Sequence, residues 1–214
     1  MWRCIIGAGW KKNKKKRVIC DIILVIESLQ REKSWDGDPR LTRTVIFERG
    51  MCMIRKVLKN DLDECVSVIR SSFQTVADEF GFTEENAPRF TAFATTSERL
   101  HYHYEIEKRP MFVCQDGSRI VGYYSLWKQD DEECELNNLC VLTEYRHQNI
   151  GGELLKHAVS EAAKLGCSVM NIGIVEENVQ LRKWYEAYGA EHTGTEKYDF
   201  FPFTCGYMRM KIGG

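Results

Sequence analysis

The sequence predicts an α/β domain on a central mixed sheet with helices on both faces, preceded by a basic extension. Three observations predict it. A strand-like run at 135–142, holding Leu136, Leu139, Val141 and Leu142, gives way through a cationic turn to a helix that opens at Gly151 and Gly152. That helix carries Leu154, Leu155, Ala158, Val159, Ala162 and Leu165 at helical spacing and stops at Gly166. Around this unit strand-like and helical runs follow in the order β-α-α-(α)-β-β-β-α-β-α-β-β, which makes a mixed sheet covered on both sides. The 43% hydrophobic content of the 214 residues suffices for a buried core, and no internal repeat divides them.

Each element has a local reason. Residues 53–58 alternate as a strand does, and Asn60 or Asp61 can cap a helix to about Phe73 with Leu62, Cys65, Val66 and Ile69 on one face. Residues 74–82 read as a loop or frayed helix. Thr83-Glu84-Glu85-Asn86 opens a second helical region near Pro88, and 97–108 reads as a third. The strand at 111–115 turns through Asp116-Gly117 into a return strand at 120–127, with Gly122 placed for a bulge. After the central helix come a strand at 168–175 and a helix from Asn178 through Tyr188, closed by Gly189. A final antiparallel pair spans 191–199 and 203–212.

Charge and cysteines narrow the function classes. The net charge of −1 hides an asymmetry, since residues 1–52 hold 12 Lys+Arg against 6 Asp+Glu while the rest is acidic, which argues against the body binding nucleic acid. The extension holds a basic run at 11–17 and an apolar run at 18–26. Asp21 interrupts that apolar run, Glu27 follows without a small-residue cleavage site, and its length is about half of a membrane span. A membrane-surface or nucleic-acid patch is the alternative to a weakly structured extension before a domain at 53–214. The nine cysteines are odd in number and lack a Cys-x-x-Cys pair. They match neither a zinc site nor a disulfide framework, so the expectation is reduced thiols in a cytoplasmic protein without a metal.

The turn between strand and central helix carries the chemistry. Helix N-termini leave four N–H groups without an intrahelical partner and add partial positive charge. Glycine lets a ligand approach the backbone closely, and the Arg146 guanidinium suits phosphate oxygens, so Arg146 to Gly152 reads as a phosphate or pyrophosphate site. An ordinary strand–turn–helix link with a solvated arginine is the alternative. Neither a P-loop nor a dinucleotide fingerprint is present. The run Arg146-His147-Gln148-Asn149-Ile150-Gly151-Gly152 resembles the pyrophosphate loop of the GNAT acyltransferases, with Asn149 where that family usually has its first glycine. Asn is the residue besides glycine that best tolerates positive φ. A second run, Asn178 to Ala190 with Trp184-Tyr185 and Gly189, resembles a motif on the family's last helix, with Ala190 in place of the usual Phe.

The resemblance implies a GNAT acyl-CoA N-acyltransferase fold and transfer of an acetyl group from acetyl-CoA to a primary amine by direct attack in a ternary complex. A binding module for acyl-CoA without turnover is the alternative. The resemblance further implies that Leu139, Cys140 and Val141, at a bulge, pair with the pantetheine arm. It assigns Arg146, His147, Gln148, Asn149, Ile150, Gly151 and Gly152 to the pyrophosphate, and Asn178 to the cofactor side, with helix capping as its other role. Tyr185 is the implied general acid and Glu135 the implied base, on a position where histone acetyltransferases place a catalytic glutamate. Period-two alternation would put Glu135, Asn137 and Leu139 on one face. His101 and His103 are further bases by chemistry alone. A lysine-like amine needs about 4.6 kcal/mol to reach its neutral form at pH 7, which is why a base helps. Asp78, Glu79, Glu84, Glu85, Phe80, Phe82, Phe200, Phe201 and Phe203 would line a site for a cationic small-molecule or peptide amine, or else form a solvated surface over an ordinary core. A homodimer is left open.

Overall fold

The computed structural model describes residues 52–128 and 130–213, and the expectations for the basic and apolar runs of the extension lie outside them. Seven strands form one sheet: β1 Met53–Lys56, β2 Met111–Asp116, β3 Arg119–Lys128, β4 Glu133–Val141, β5 Val169–Val175, β6 Glu191–Lys197 and β7 Thr204–Lys211. Their spatial order is β1-β2-β3-β4-β5-β7-β6. Every neighbouring pair is antiparallel except β4 with β5. The five α-helices are α1 Leu62–Phe80, α2 Thr91–Ala94, α3 Ser97–Glu105, α4 Ile150–Lys164 and α5 Val179–Ala187. The parallel β4–β5 pair needs a crossover, and α4 supplies it.

Two faces of β3 and β4 are covered differently, and both helices α1 and α4 pack on that pair. On the α1 side Leu62, Cys65, Ile69, Phe73, Val76 and Ala77 form the buried stripe. On the α4 side Gly122 is required by contact, because a Cβ there would lie 2.9 Å from Leu154 Cδ1 and 3.1 Å from the Cys140 carbonyl oxygen. The extra residue near Gly122 shifts the β2–β3 register between Cys114 and Gln115, which agrees with the bulge expected there. Tyr124 donates to or accepts from His157 Nδ1 of α4 at 2.6 Å. Its neighbour Tyr123, on the α1 side, is fully buried and its hydroxyl has no hydrogen-bond partner.

Several local expectations change. Helix α1 does not fray at Phe73 but runs to Phe80, because Val76 and Ala77 continue its buried stripe, and it stops at Gly81 in the left-handed region. Thr83 to Asn86 is a turn rather than a helix. The Thr83 N–H donates to Asn86 Oδ1 at 2.8 Å, and the Asn86 N–H donates to Thr83 Oγ1 at 3.2 Å, so the capping chemistry closes on itself. The third helix ends at Glu105. The thiols are not all separate either: Cys52 and Cys114 form a disulfide with Cα atoms 6.0 Å apart, whereas Cys65, Cys134, Cys140, Cys167 and Cys205 are free and buried. The pair is invisible to spacing because 62 residues separate it and the β1–β2 register brings it together.

An aromatic joint ties the α1–α2 connection to the β6–β7 loop. Phe203 stands 4.8 Å from Phe82, 5.9 Å from Phe90 and 4.6 Å from Phe201, centroid to centroid. All four rings are buried. Truncating the central ring should leave a cavity the neighbours cannot close, so Phe203→Ala should cost about 3–5 kcal/mol of stability, read as a lowered urea midpoint.

Candidate active site

Strands β4 and β5 pair only over Glu133–Val169, Cys134–Met170 and Glu135–Asn171. Beyond that point they part, so Leu136 to Val141 present an edge with no strand partner on the β5 side. In the same stretch β4 carries a bulge: Tyr123 faces Cys140 but Ser125 faces Asn137, and Asn138 sits at φ +53°. Asn138 Oδ1 is buried and has no hydrogen-bond partner. The bulge reverses the alternation. Tyr123 and Ser125 share a face, so their opposites Cys140 and Asn137 share it too, and Leu139 turns to the other face. The expectation that Leu139 lies with Glu135 and Asn137 is therefore corrected, and Cys140 takes that place. Burial pushes the Cys140 thiol up to about 12.

The turn after β4 delivers the N-terminus of α4. Asn149 is its N-cap residue at φ +60°, the conformation expected where glycine is usual, and its side chain makes no capping hydrogen bond. His147 is also left-handed at φ +62°, which the sequence did not announce. Ile150, Gly151 and Gly152 form the first, buried helical turn. A Cβ on Gly152 would lie 2.5 Å from Asn149 Oδ1 and would collide with the Tyr188 hydroxyl. Tyr188 in turn donates to Asn149 Oδ1 at 3.3 Å. The exposed Gln148 side chain donates to the Glu144 carbonyl oxygen at 3.3 Å.

Arg146 is partly buried and paired within the protein. Its Nε donates to the Val141 carbonyl oxygen, and its Nη2 donates to the Ser72 carbonyl oxygen and to Thr75 Oγ1, each at 3.1 Å. Burial lowers the guanidinium pKa from its ordinary value. The arginine thus clamps the turn to the end of β4 and to α1, instead of standing solvated.

Tyr185 is fully buried, and its hydroxyl has no hydrogen-bond partner. Burial raises its pKa well above the ordinary phenol value, with the Cys140 thiol adding to the rise. The hydroxyl therefore stays protonated and lies close to β4. Asn178 caps α5, its Oδ1 accepting from the Leu181 N–H at 2.9 Å, so its capping role is realised.

Glu135 lies inside the protein. It is 1% exposed, and its Oε1 accepts from Asn137 Nδ2 at 2.8 Å. Asn137 Oδ1 accepts from Arg109 Nη1 at 3.1 Å. Arg109, Tyr123, Ser125 and Asn138 were missed by sequence reasoning, and Asn137 was placed on the Glu135 face without a role; for the strand residues, polar side chains inside an otherwise apolar strand were the available signal. Of the two histidines, His103 is buried with Nε2 3.9 Å from Glu107 Oε2, and His101 Nδ1 lies 3.7 Å from Glu105 Oε1, so they do alternate in exposure. The acidic residues Asp78, Glu79, Glu84 and Glu85 are exposed, while Phe82, Phe201 and Phe203 belong to the core joint. Phe200 is exposed and Phe80 half-buried. Among the described residues no group of three His, Cys, Asp or Glu could hold a metal ion, and no helix is long and apolar enough to cross a membrane.

Known proteins share this arrangement. Residues 78–190 match the model of the acetyltransferase (GNAT) family. A thialysine N-epsilon-acetyltransferase of Bos taurus is 30% identical over 173 residues, covering 75% of this chain and 97% of the relative. The ribosomal-protein-S18-alanine N-acetyltransferase of Escherichia coli superposes with a TM-score of 0.61 at 17% identity, over 77% of this chain and 96% of that one. The structure of yncA from Salmonella typhimurium, solved with its cofactor acetyl-CoA, gives 0.59 at 16% identity over the same shares of the two chains. The parted β4–β5 pair, the uncapped α4 and the family match converge: the chain is an acetyltransferase enzyme and belongs to the GNAT family.

Proposed function

We propose that the enzyme moves an acetyl group from acetyl-CoA to a primary amine by direct attack within a ternary complex. The observation that carries this reading is the gap between β4 and β5, which opens beside an α4 N-terminus without a side-chain cap. Two buried polar atoms without partners, Asn138 Oδ1 and Tyr185 Oη, fit a polar ligand arm in that region. When bound, acetyl-CoA supplies the acetyl group as an activated thioester. The amides of Gln148 to Gly152 would hold its diphosphate, and the unpaired edge at Leu139, Cys140 and Val141 would hold its pantetheine amides. Arg146 contributes by fixing the shape of the turn. Tyr185, kept protonated by burial, offers a donor to negative charge developing on sulfur. Glu135 takes the proton of the attacking amine, directly or through water.

The acceptor we favour is a small cationic amine of amino-acid kind. The bovine relative is named for the ε-nitrogen of thialysine, and its match extends over nearly its whole length. We place the working enzyme in the cytoplasm, a reducing compartment in which the Cys52–Cys114 bond would open.

A thiol-release screen with acetyl-CoA against a panel of primary amines tests the reaction; no release with any amine would defeat it. Tyr185→Phe should lower kcat about 100-fold with little change in affinity for CoA, whereas an unchanged kcat would remove the tyrosine from the mechanism. Gly152→Val should displace Tyr188 and Asn149 from the turn and weaken CoA binding about tenfold by calorimetry, close to 1.4 kcal/mol.

A further inference from the structure

The buried Glu135, in the last residue pair that β4 makes with β5, is not isolated. Arg109 follows α3 and lies almost wholly inside, with its side chain 8% exposed. Its Nε donates to Glu107 Oε2 at 2.5 Å, its guanidinium stands 5.7 Å from the Trp127 ring centre, and its Nη1 reaches Asn137. Trp127 lies opposite Glu135 in the β3–β4 register, and Ser125 lies opposite Asn137. The residues Glu107, Arg109, Asn137 and Glu135 therefore form one hydrogen-bonded chain across the α1-side face of the sheet, with each link 2.5–3.1 Å long.

The chemistry of the groups fixes its polarity. A guanidinium has five donors and no acceptor, so only the carbonyl oxygen of Asn137 can face Arg109. The amide nitrogen is then turned on Glu135, where a carboxylate oxygen accepts better than a carboxylic acid does. Resting on the reading of Glu135 as the base, we infer that Asn137 and Arg109 are positioning residues that orient Glu135 and hold it ionised against the cost of its burial. Asn137 passes the demand of the buried cation to the carboxylate and locks one of its oxygens in place.

Other charged and titratable groups face Glu135. Glu133, two residues earlier on the same face, pairs with Arg209 Nη2 of β7 at 2.7 Å and accepts from Asn171 Nδ2 of β5 at 2.9 Å. Tyr207 of β7 lies close enough for Glu135 to help raise its pKa, and its hydroxyl meets that of Tyr198 at 3.1 Å. Cys134 is adjacent in sequence and feels the same carboxylate. His103 sits at the far end, against Glu107. Since a histidine titrates near neutrality, kinetics alone would not identify the group being moved.

The test is a titration of glutamate carboxyl carbons by NMR in the full-length chain, with the Glu135 signal identified as the one lost in Glu135→Gln. Asn137→Leu should raise the Glu135 midpoint by at least one pH unit, a tenfold loss of the ionised fraction at any pH below both midpoints. Arg109→Met should raise it too, and Arg109→Lys should restore part of the difference. CoA affinity should not change in any of them. An unmoved midpoint in folded Asn137→Leu overturns the inference; if that variant does not fold, equal midpoints in wild type, Arg109→Met and Arg109→Lys overturn it. Failure of the base reading looks different: Glu135→Gln would then keep the wild-type kcat/KM, whatever the carboxyl titration shows.

Discussion

The structure depends on one constraint, that β4 pairs with β5 for three residues and then stops. A parallel pair that continued would bury the edge of Leu136 to Val141 in a ladder and leave no opening. The bulge at Asn138 takes up an extra residue, bends the strand and turns it from its neighbour. Helix α4 leaves that strand through the Arg146–Asn149 turn, so the parting and the helix N-terminus arise from one continuous piece of chain. The seven strands and the helices packed on both faces hold this piece still.

Much of the fold was legible because it rests on periodicity. The buried stripe of α4, the Asp116-Gly117 hairpin and the order of elements each follow from local patterns that the structure repeats. What failed was decided by contacts that periodicity does not encode. Residues 74–82 read as a loop or frayed helix because Gln74, Thr75, Asp78 and Glu79 dilute the pattern, yet Phe73, Val76 and Ala77 bury enough surface to carry the helix on to Phe80. At Thr83 a helix-capping signal was satisfied by Asn86 within the turn itself. The nearness of Cys52 to Cys114 depends on strand register, which spacing cannot supply.

The site was legible at the level of backbone and less so at the level of side chains. Asn149 takes the left-handed conformation that its place in the turn demanded. Arg146, however, has acceptors on α1 more than seventy residues away in sequence, and no local pattern could reveal Ser72 and Thr75 as its partners. Glu135 was read as the implied base from its place on the strand, and nothing local shows how it is held. It is buried because β3 and β5 flank it on both sides, and the polar chain through Asn137 to Arg109 makes that burial tolerable.

The α4 turn presents main-chain amides at a helix N-terminus without a side-chain cap, and every amino acid except proline provides the same group. Drift at Gln148 or Ile150 therefore leaves the chemical identity of the surface unchanged, provided His147 and Asn149 keep their left-handed torsions. Such a device is inherited as a shape and not as a set of letters.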